Sequence, residues 1–370
     1  MKIVTIDHYQ MCLPLKSPFV TSYGRLEEKL FDLYLLTYEL GNQGVGELVS
    51  FEIPDYIEET IRNDRAVIQQ YLIPLLVKEI EHPSDIQQRF QVIQGNFMAK
   101  SALETAVWDL YAKRMKQPLS AYFAPTNTRE LAVGVSMGMQ QDESTLIEMV
   151  TAYVAQGYQR VKLKIKPGYD YDPLAAIRQA FPDILLMADA NSAYSEQDWE
   201  ALLRLDTLGL AMIEQPFNQR DFVLHAKLQK QIQTALCLDE NIRTVEDVET
   251  AIALGSCKSI NLKIPRVGGI TEALRILEVC EKHKMRVWLG GMFESGVGRA
   301  LNLQFASQPI FDFPGDISAS DRYYYEDVVT EPAVVVHGNI RVPHTIGLGV
   351  ELDWDVIERY TQFSEKIELR

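Results

Sequence analysis

Apolar and polar positions along this chain follow two rhythms, and the change between them falls near residue 130. Before it, strand-like runs such as Met1–Ile6 and Phe31–Tyr38 (FDLYLLTY) are punctuated by turn residues, GNQGVGE among them. Helical spacing follows over Glu58–Ile80 and Lys100–Lys116. In the second of these, Leu103, Val107, Leu110 and Tyr111 share one face, so Trp108 is expected to pack, and Pro118 ends the helix. From residue 131 short apolar runs recur, each followed by a helix-like segment. The runs are LAVGVS (131–136), VKLKIK (161–166), ILLMAD (184–189), LAMIE (210–214), ALCLD (235–239), KSINLK (258–263), RVWLG (286–290) and PIFDF (309–313). Between them lie amphipathic stretches such as STLIEMVTAYVAQ, TVEDVETAIALG and ITEALRILEVCEKHK. Eight strands alternating with helices predict a parallel β/α barrel; a doubly wound open sheet satisfies the same alternation. The C-terminal stretch ASDRYYYEDVVTEPAVVVHGNIRVP returns to strand texture and is expected to rejoin the N-terminal part.

Length and composition narrow the function classes. A chain of 370 residues suits one large barrel or sheet domain with a smaller partner. Its formal charge of -15 argues against nucleic acid and anionic membrane as partners, since both need a basic face. An anionic small molecule stays admissible, because charges lining a cleft outweigh distant screened ones. Cys12, Cys237, Cys257 and Cys280 are widely spaced, which predicts neither a disulfide framework nor a zinc ribbon. MKIVTIDHYQM lacks the apolar core of a signal peptide, and no run approaches the roughly 20 apolar residues of a membrane span. The cytoplasm is the expected location.

Chemistry enters through the charged residues that close the apolar runs. Lys164 ends the second run, Asp189 the third, Glu214 the fourth, Asp239 the fifth and Lys263 the sixth. Successive members are 25, 25, 25 and 24 residues apart. One charge per βα unit, always at the C-terminal end of a strand, gathers on the barrel rim where active sites form. Any one of these acids could be a helix cap, but five charges in register are not explained by capping. Three converging carboxylates need compensation, and a hard divalent cation, Mg²⁺ with Mn²⁺ as substitute, supplies it. Zinc is disfavoured because His8, His82, His225, His283, His337 and His344 show no paired ligand spacing; each is expected to be a surface or structural residue.

The order of signs suggests removal of a proton α to a carboxylate. A cation on the substrate carboxylate would act as a Lewis acid, with a lysine on each side of the α-carbon. The lysine acting as base must be neutral; Lys162 projects in the same direction as Lys164 and would help to depress its pKa. Lys166, just before Pro167, is expected to leave the strand and be solvated.

These residues and their neighbours carry a resemblance. KLKIKPG (162–168), DANSAY (189–194), IEQP (213–216), LDE (238–240), NLKIPRVGG (261–269), GGMFESGVGRA (290–300) and FPGDISASDRYY (313–324) resemble the enolase superfamily. SALETAVWDLYAK (101–113) and IGLGVELD (346–353) fit it as well. Within it the chain looks like the branch of o-succinylbenzoate synthase and N-acylamino acid racemase. The resemblance implies a modified (β/α)7β barrel over residues 126–318, with an α+β cap from residues 1–125 and the tail from about 319. It implies Asp189, Glu214 and Asp239 as metal ligands, Lys164 and Lys263 as the acid/base pair, and Lys162 as electrostatic support. Loops 17–24 and 46–53 would close over the substrate, with Phe19 and Phe51 as candidate contacts. Ser136, Asn191, Arg266, Gly291 and Met292 are further expected contacts, and the amides that open the helix after GGMFESGVG are candidates to hold a substrate carboxylate.

The activity implied is dehydration of a cyclohexadiene carboxylate to 2-succinylbenzoate, on the way to menaquinone, by a homo-oligomer. Racemisation of N-acylamino acids, epimerisation of dipeptides and cycloisomerisation of muconates remain open on the same site. A Schiff-base aldolase would need an isolated lysine without the acids. A binding protein would have no use for opposed lysines.

Overall fold

The computed structural model describes residues 1–20, 25–124 and 128–369, without the side chains of residues 19 and 20. Three strands open the chain: β1 (Ile3–Val20), β2 (Arg25–Tyr38) and β3 (Gln43–Leu48). They are antiparallel and ordered β14-β1-β2-β3, with β14 (Thr361–Glu368) arriving from the far end of the chain. The run FDLYLLTY is apolar almost throughout because both faces of β2 are covered. Phe31, Leu33 and Leu35 join the core that continues into the barrel, whereas Tyr34, Leu36 and Tyr38 join the core under the N-terminal helices.

The helical pattern over Glu58–Ile80 does not form one helix. Helix α1 (Ile61–Val67) gives way to a π turn at Ile68–Leu72 and a 3₁₀ turn at Ile73–Leu76. Pro74 lacks the amide an α-helix would need there. After α2 (Ser84–Phe90) comes α3 (Phe97–Arg114), which is buried on every face. Its polar residues are spent on neighbours: Asp109 accepts from Val45 N at 2.9 Å and Leu348 N at 2.8 Å. Gly46 lets β3 lie against this helix, since a Cβ there would stand 2.0 Å from the Ala102 carbonyl oxygen.

The run LAVGVS splits at Val133. Strand β4 (Glu130–Ala132) pairs antiparallel with β13 (Asn339–Arg341), which pairs in turn with β12 (Val335–Val336). Strand β5 (Gly134–Met137) begins a parallel sheet of seven, continued by β6 (Arg160–Lys164), β7 (Leu185–Asp189), β8 (Met212–Glu214), β9 (Ala235–Leu238), β10 (Ser259–Leu262) and β11 (Arg286–Leu289). The helices that alternate with them are α4 (Glu143–Ala155), α5 (Tyr171–Ala180), α6 (Trp199–Leu205), α7 (Phe222–Gln229), α8 (Val245–Leu254), α9 (Ile270–His283) and α10 (Gly296–Ala306). A last helix, α11 (Trp354–Tyr360), precedes β14.

The eighth apolar run, PIFDF, is not a strand. Pro309 and Pro314 bracket it without amide donors, and Phe311 and Phe313 turn inward against Phe305 and Trp288. The barrel is closed one step later, where Gly134 N donates to Gly315 O at 2.9 Å and Asp316 N to Leu289 O at 3.0 Å. The architecture is therefore a modified (β/α)7β barrel beside an antiparallel sheet with its own helices. Among the described residues no helix is long and apolar enough to cross a membrane, and all four cysteines are free thiols.

Candidate active site

Parallel pairing sets the strand ends in a row. Lys164 lies opposite Asp189, and Asp189 opposite Glu214, with Glu214 opposite Cys237 two residues before Asp239. Alternation along β6 sends Arg160, Lys162 and Lys164 to the inner face, and all three are buried. Lys166 lies past the strand end and is exposed.

The carboxylates and amines are interleaved. Lys164 Nζ donates to Asp189 Oδ2 and Asn191 Oδ1, each at 2.6 Å. Lys162 Nζ stands 2.5 Å from Asp316 and 3.2 Å from both Asp189 and Glu214, over the Trp288 ring. Across the barrel, Lys263 Nζ donates to Asp239 Oδ2 and to the Tyr56 hydroxyl, each at 2.9 Å. Asn261 fixes Glu214 through a 2.8 Å bond. Asp189, Glu214 and Asp239 are at most 1 % exposed, so each needs this compensation.

The electrostatics follow. Burial pulls the Lys162 ammonium down, but Asp316, Glu214 and Asp189 outweigh it and hold the group above the ordinary lysine value. Lys263 is likewise held high, with burial opposed by Tyr56, Glu240 and Glu214. Burial raises Asp189, yet Lys164 and Lys162 together bring it well below the usual carboxylate range. Glu240 is less well compensated: burial and the Asp189 charge push it up to about 7 against the opposing pull of Lys263 and the Asn191 hydrogen bond, and among the described residues its Oε2 has no hydrogen-bond partner.

The donors suit a divalent cation. Three buried hard oxygen donors on adjacent strand ends, with the unpartnered Glu240 oxygen near Asp189, match what Mg²⁺ takes. As the side chains stand, amines engage the acids, and among the described residues no three acids, histidines or cysteines converge on one metal position. A cation would have to replace the ammonium contacts to Asp189 and Asp239.

Eight of the expected residues share one cavity of about 60 Å³: Phe51, Ser136, Lys162, Lys164, Asn191, Lys263, Gly291 and Met292. Arg266 does not reach it. It is fully buried behind Asp239, with which it pairs, and it donates to Tyr56 and to the Ile242 and Asn261 carbonyls. The side chain of Phe19 and part of loop 17–24 lie outside the described residues. The amides opening α10 are not free for a substrate carboxylate either. Glu47 takes Ser295 N and Gly298 N, and Asp327 takes Gly296 N at 2.7 Å.

Two family models cover most of the chain. "Mandelate racemase / muconate lactonizing enzyme, N-terminal domain" matches residues 4–123, and "Enolase C-terminal domain-like" matches residues 145–356. The chain belongs to the enolase superfamily. Among similar members, an o-succinylbenzoate synthase of Enterococcus faecalis is 58 % identical over 99 % of this chain and all of its own length. An N-succinylamino acid racemase of Thermus thermophilus is 41 % identical over 98 % of both chains. A solved Listeria innocua member of the superfamily superposes with a TM-score of 0.97 at 48 % identity, covering both chains fully.

This enolase-superfamily site also holds residues that strand-end counting did not select. Tyr56, Phe293, Glu294, Arg299, Asp316 and Tyr323 line the same cavity. Asp316 stood in the quoted FPGDISAS and Glu240 in LDE, one residue from a selected acid. Nothing local in IPDYIEET marks Tyr56, which comes from the other end of the chain.

Proposed function

We propose that this enzyme is an o-succinylbenzoate synthase. It would dehydrate 2-succinyl-6-hydroxy-2,4-cyclohexadiene-1-carboxylate to 2-succinylbenzoate, an intermediate toward menaquinone. The observation that carries this is the in-register row Lys164–Asp189–Glu214, whose Lys164 lines one cavity together with Lys263. The 58 % identity to a synthase over the full length supports the substrate.

Asp189, Glu214 and Asp239 would hold Mg²⁺, which would supply Lewis-acid stabilisation of charge on the substrate carboxylate. Lys164, in its neutral form, takes the proton α to the carboxylate. The same Nζ then returns that proton to the departing β-hydroxyl, so water leaves and the ring becomes aromatic. Asn191 holds the Lys164 amine at 2.6 Å, which fixes its direction through both transfers. Lys263 stays charged against the opposite face, where a cation favours the forming π system. Lys162, paired with Asp316, stays a fixed positive charge beside the base.

A second reading, racemisation of N-succinylamino acids alone or alongside dehydration, is favoured by one feature. Lys164 and Lys263 both line the cavity, as a proton acceptor and donor on opposite sides require. It also has the support of the 41 % identical racemase.

The test is an ultraviolet assay of the purified protein with the cyclohexadiene carboxylate. Turnover is expected with Mg²⁺, with loss on EDTA and recovery on added Mg²⁺ or Mn²⁺. Absence of product at saturating Mg²⁺ would dismiss the synthase assignment, and activity that survives EDTA would dismiss the metal.

A further inference from the structure

The opening amides of α10 are the natural seat for a carboxylate, and the chain fills that seat itself. Glu47, on β3, accepts from Ser295 N at 2.9 Å, Ser295 Oγ at 2.7 Å and Gly298 N at 2.8 Å. A Cβ on Gly298 would stand 2.9 Å from Glu47 Oε2 and 2.8 Å from Glu294 Cβ, so glycine makes room for the carboxylate. Because β3 belongs to the antiparallel sheet and α10 to the barrel, these three bonds form a joint between them.

The joint abuts the wall of the cavity. Ser295 directly follows Gly291–Glu294, all four of which line it. Within that stretch Phe293 adopts φ 58°, a left-handed conformation that is costly for an aromatic residue and persists only when its surroundings enforce it. Its ring stands edge-on to Phe51 and Tyr323, at centroid distances of 6.3 and 5.1 Å. Its carbonyl accepts from the Tyr324 hydroxyl at 2.5 Å. On the sheet side, Lys29 Nζ donates to Val49 O at 2.5 Å and lies 4.5 Å from the centre of the Phe51 ring, with Glu47 and Glu294 supplying the negative charge that faces it. Glu47 thus lies between the supports of two aromatic walls, Phe51 and Phe293.

We propose that Glu47 is a positioning residue: it pins the start of α10 so that Phe293 is held left-handed and stands with Phe51 and Tyr323 against the apolar body of the bound acid. The choice of 2-succinylbenzoate as probe rests on the function proposed above, whereas the pin itself does not.

Two variants attack the joint from opposite sides. Glu47→Gln keeps the size but removes the charge and turns an NH₂ group toward amide donors; Gly298→Ala pushes a methyl group into the carboxylate. Both are expected to raise KM and the Kd of 2-succinylbenzoate about tenfold while kcat stays within about threefold, because ligand placement and not proton transfer is disturbed. Amide hydrogen exchange should quicken over residues 293–298. Ser295→Ala, which removes one of the three bonds, should show a smaller change in the same direction. A lower Tm with KM, Kd and exchange over 293–298 unchanged would make Glu47 merely structural and overturn the proposal. Should Glu47→Gln not fold, Ser295→Ala decides alone, a raised KM supporting the pin and an unchanged one refuting it. If the parent protein fails to bind 2-succinylbenzoate, the proposed function falls, and faster exchange confined to 293–298 in the variants still decides for the pin, while unaltered exchange decides against it.

Discussion

At the scale of single residues, the site works by opposing charges that burial would otherwise forbid. Asp189, Glu214 and Asp239 are tolerable in the interior only because Lys162 and Lys164 on β6 and Lys263 just after β10 reach them. Asn191 shows how finely one amine is aimed. It sits in the left-handed region at φ 42°, where asparagine is tolerated better than most residues, and bridges Lys164 at 2.6 Å to Glu240 at 3.0 Å. Asn191→Ala should therefore lower kcat about 10²-fold by releasing the Lys164 amine from its direction. Steady-state kinetics with circular dichroism would check it, and a wild-type kcat would remove Asn191 from the site. Lysines and acids at strand ends were legible in the sequence because spacing alone reveals them. Arg266 stays outside the cavity lining for a physical reason: its neighbour Asp239 captures the guanidinium, which the spacing of strand ends does not register.

At the scale of elements, short apolar runs located the seven parallel strands, nearly all of whose residues are buried, and amphipathic periodicity located the helices between them. Both signals misled where proline intervenes. Pro74 breaks the helix expected over 58–80, and PIFDF spends its phenylalanines on packing instead of pairing, whereas the helix expected over 100–116 forms as α3 although it is buried on every face. Helix α7 adds a measurable consequence. His225, fully buried on it, accepts from Phe217 N at 3.3 Å and donates through Nδ1 to the Asp221 carbonyl, so it is held neutral. Burial lowers its pKa from 6.5 to about 4. The unfolded chain takes up this proton first, so stability present above pH 6.5 is lost as pH falls toward 4, by about 3 kcal/mol in all. Urea unfolding of the parent and of His225→Gln between pH 7 and 4 should differ in slope over that window. Parallel pH profiles would show that the imidazole is not held neutral.

At the scale of the whole molecule, the barrel supplies the chemistry and the antiparallel sheet supplies the roof. Tyr56 and Phe51 come from the N-terminal region, yet both line the cavity, and Tyr56 contacts Lys263. The Tyr56–Lys263 contact joins positions some 200 residues apart in sequence and leaves no local signature, which is why Tyr56 was not legible, whereas Phe51 was reached through the family resemblance. The same cavity, lined by both Lys164 and Lys263, makes a second activity testable. In D₂O, N-succinylamino acids should exchange their α-hydrogen for deuterium if the racemase reading holds, as nuclear magnetic resonance would record. No exchange would leave dehydration as the sole activity proposed. The most direct test of the central claim, that one strand-end lysine moves the α-proton, is the turnover of Lys164→Ala at saturating Mg²⁺. A loss of about 10³-fold or more, with parental circular dichroism and Mg²⁺ affinity, is the expected result. Dehydration at the parental rate by that folded variant would contradict it.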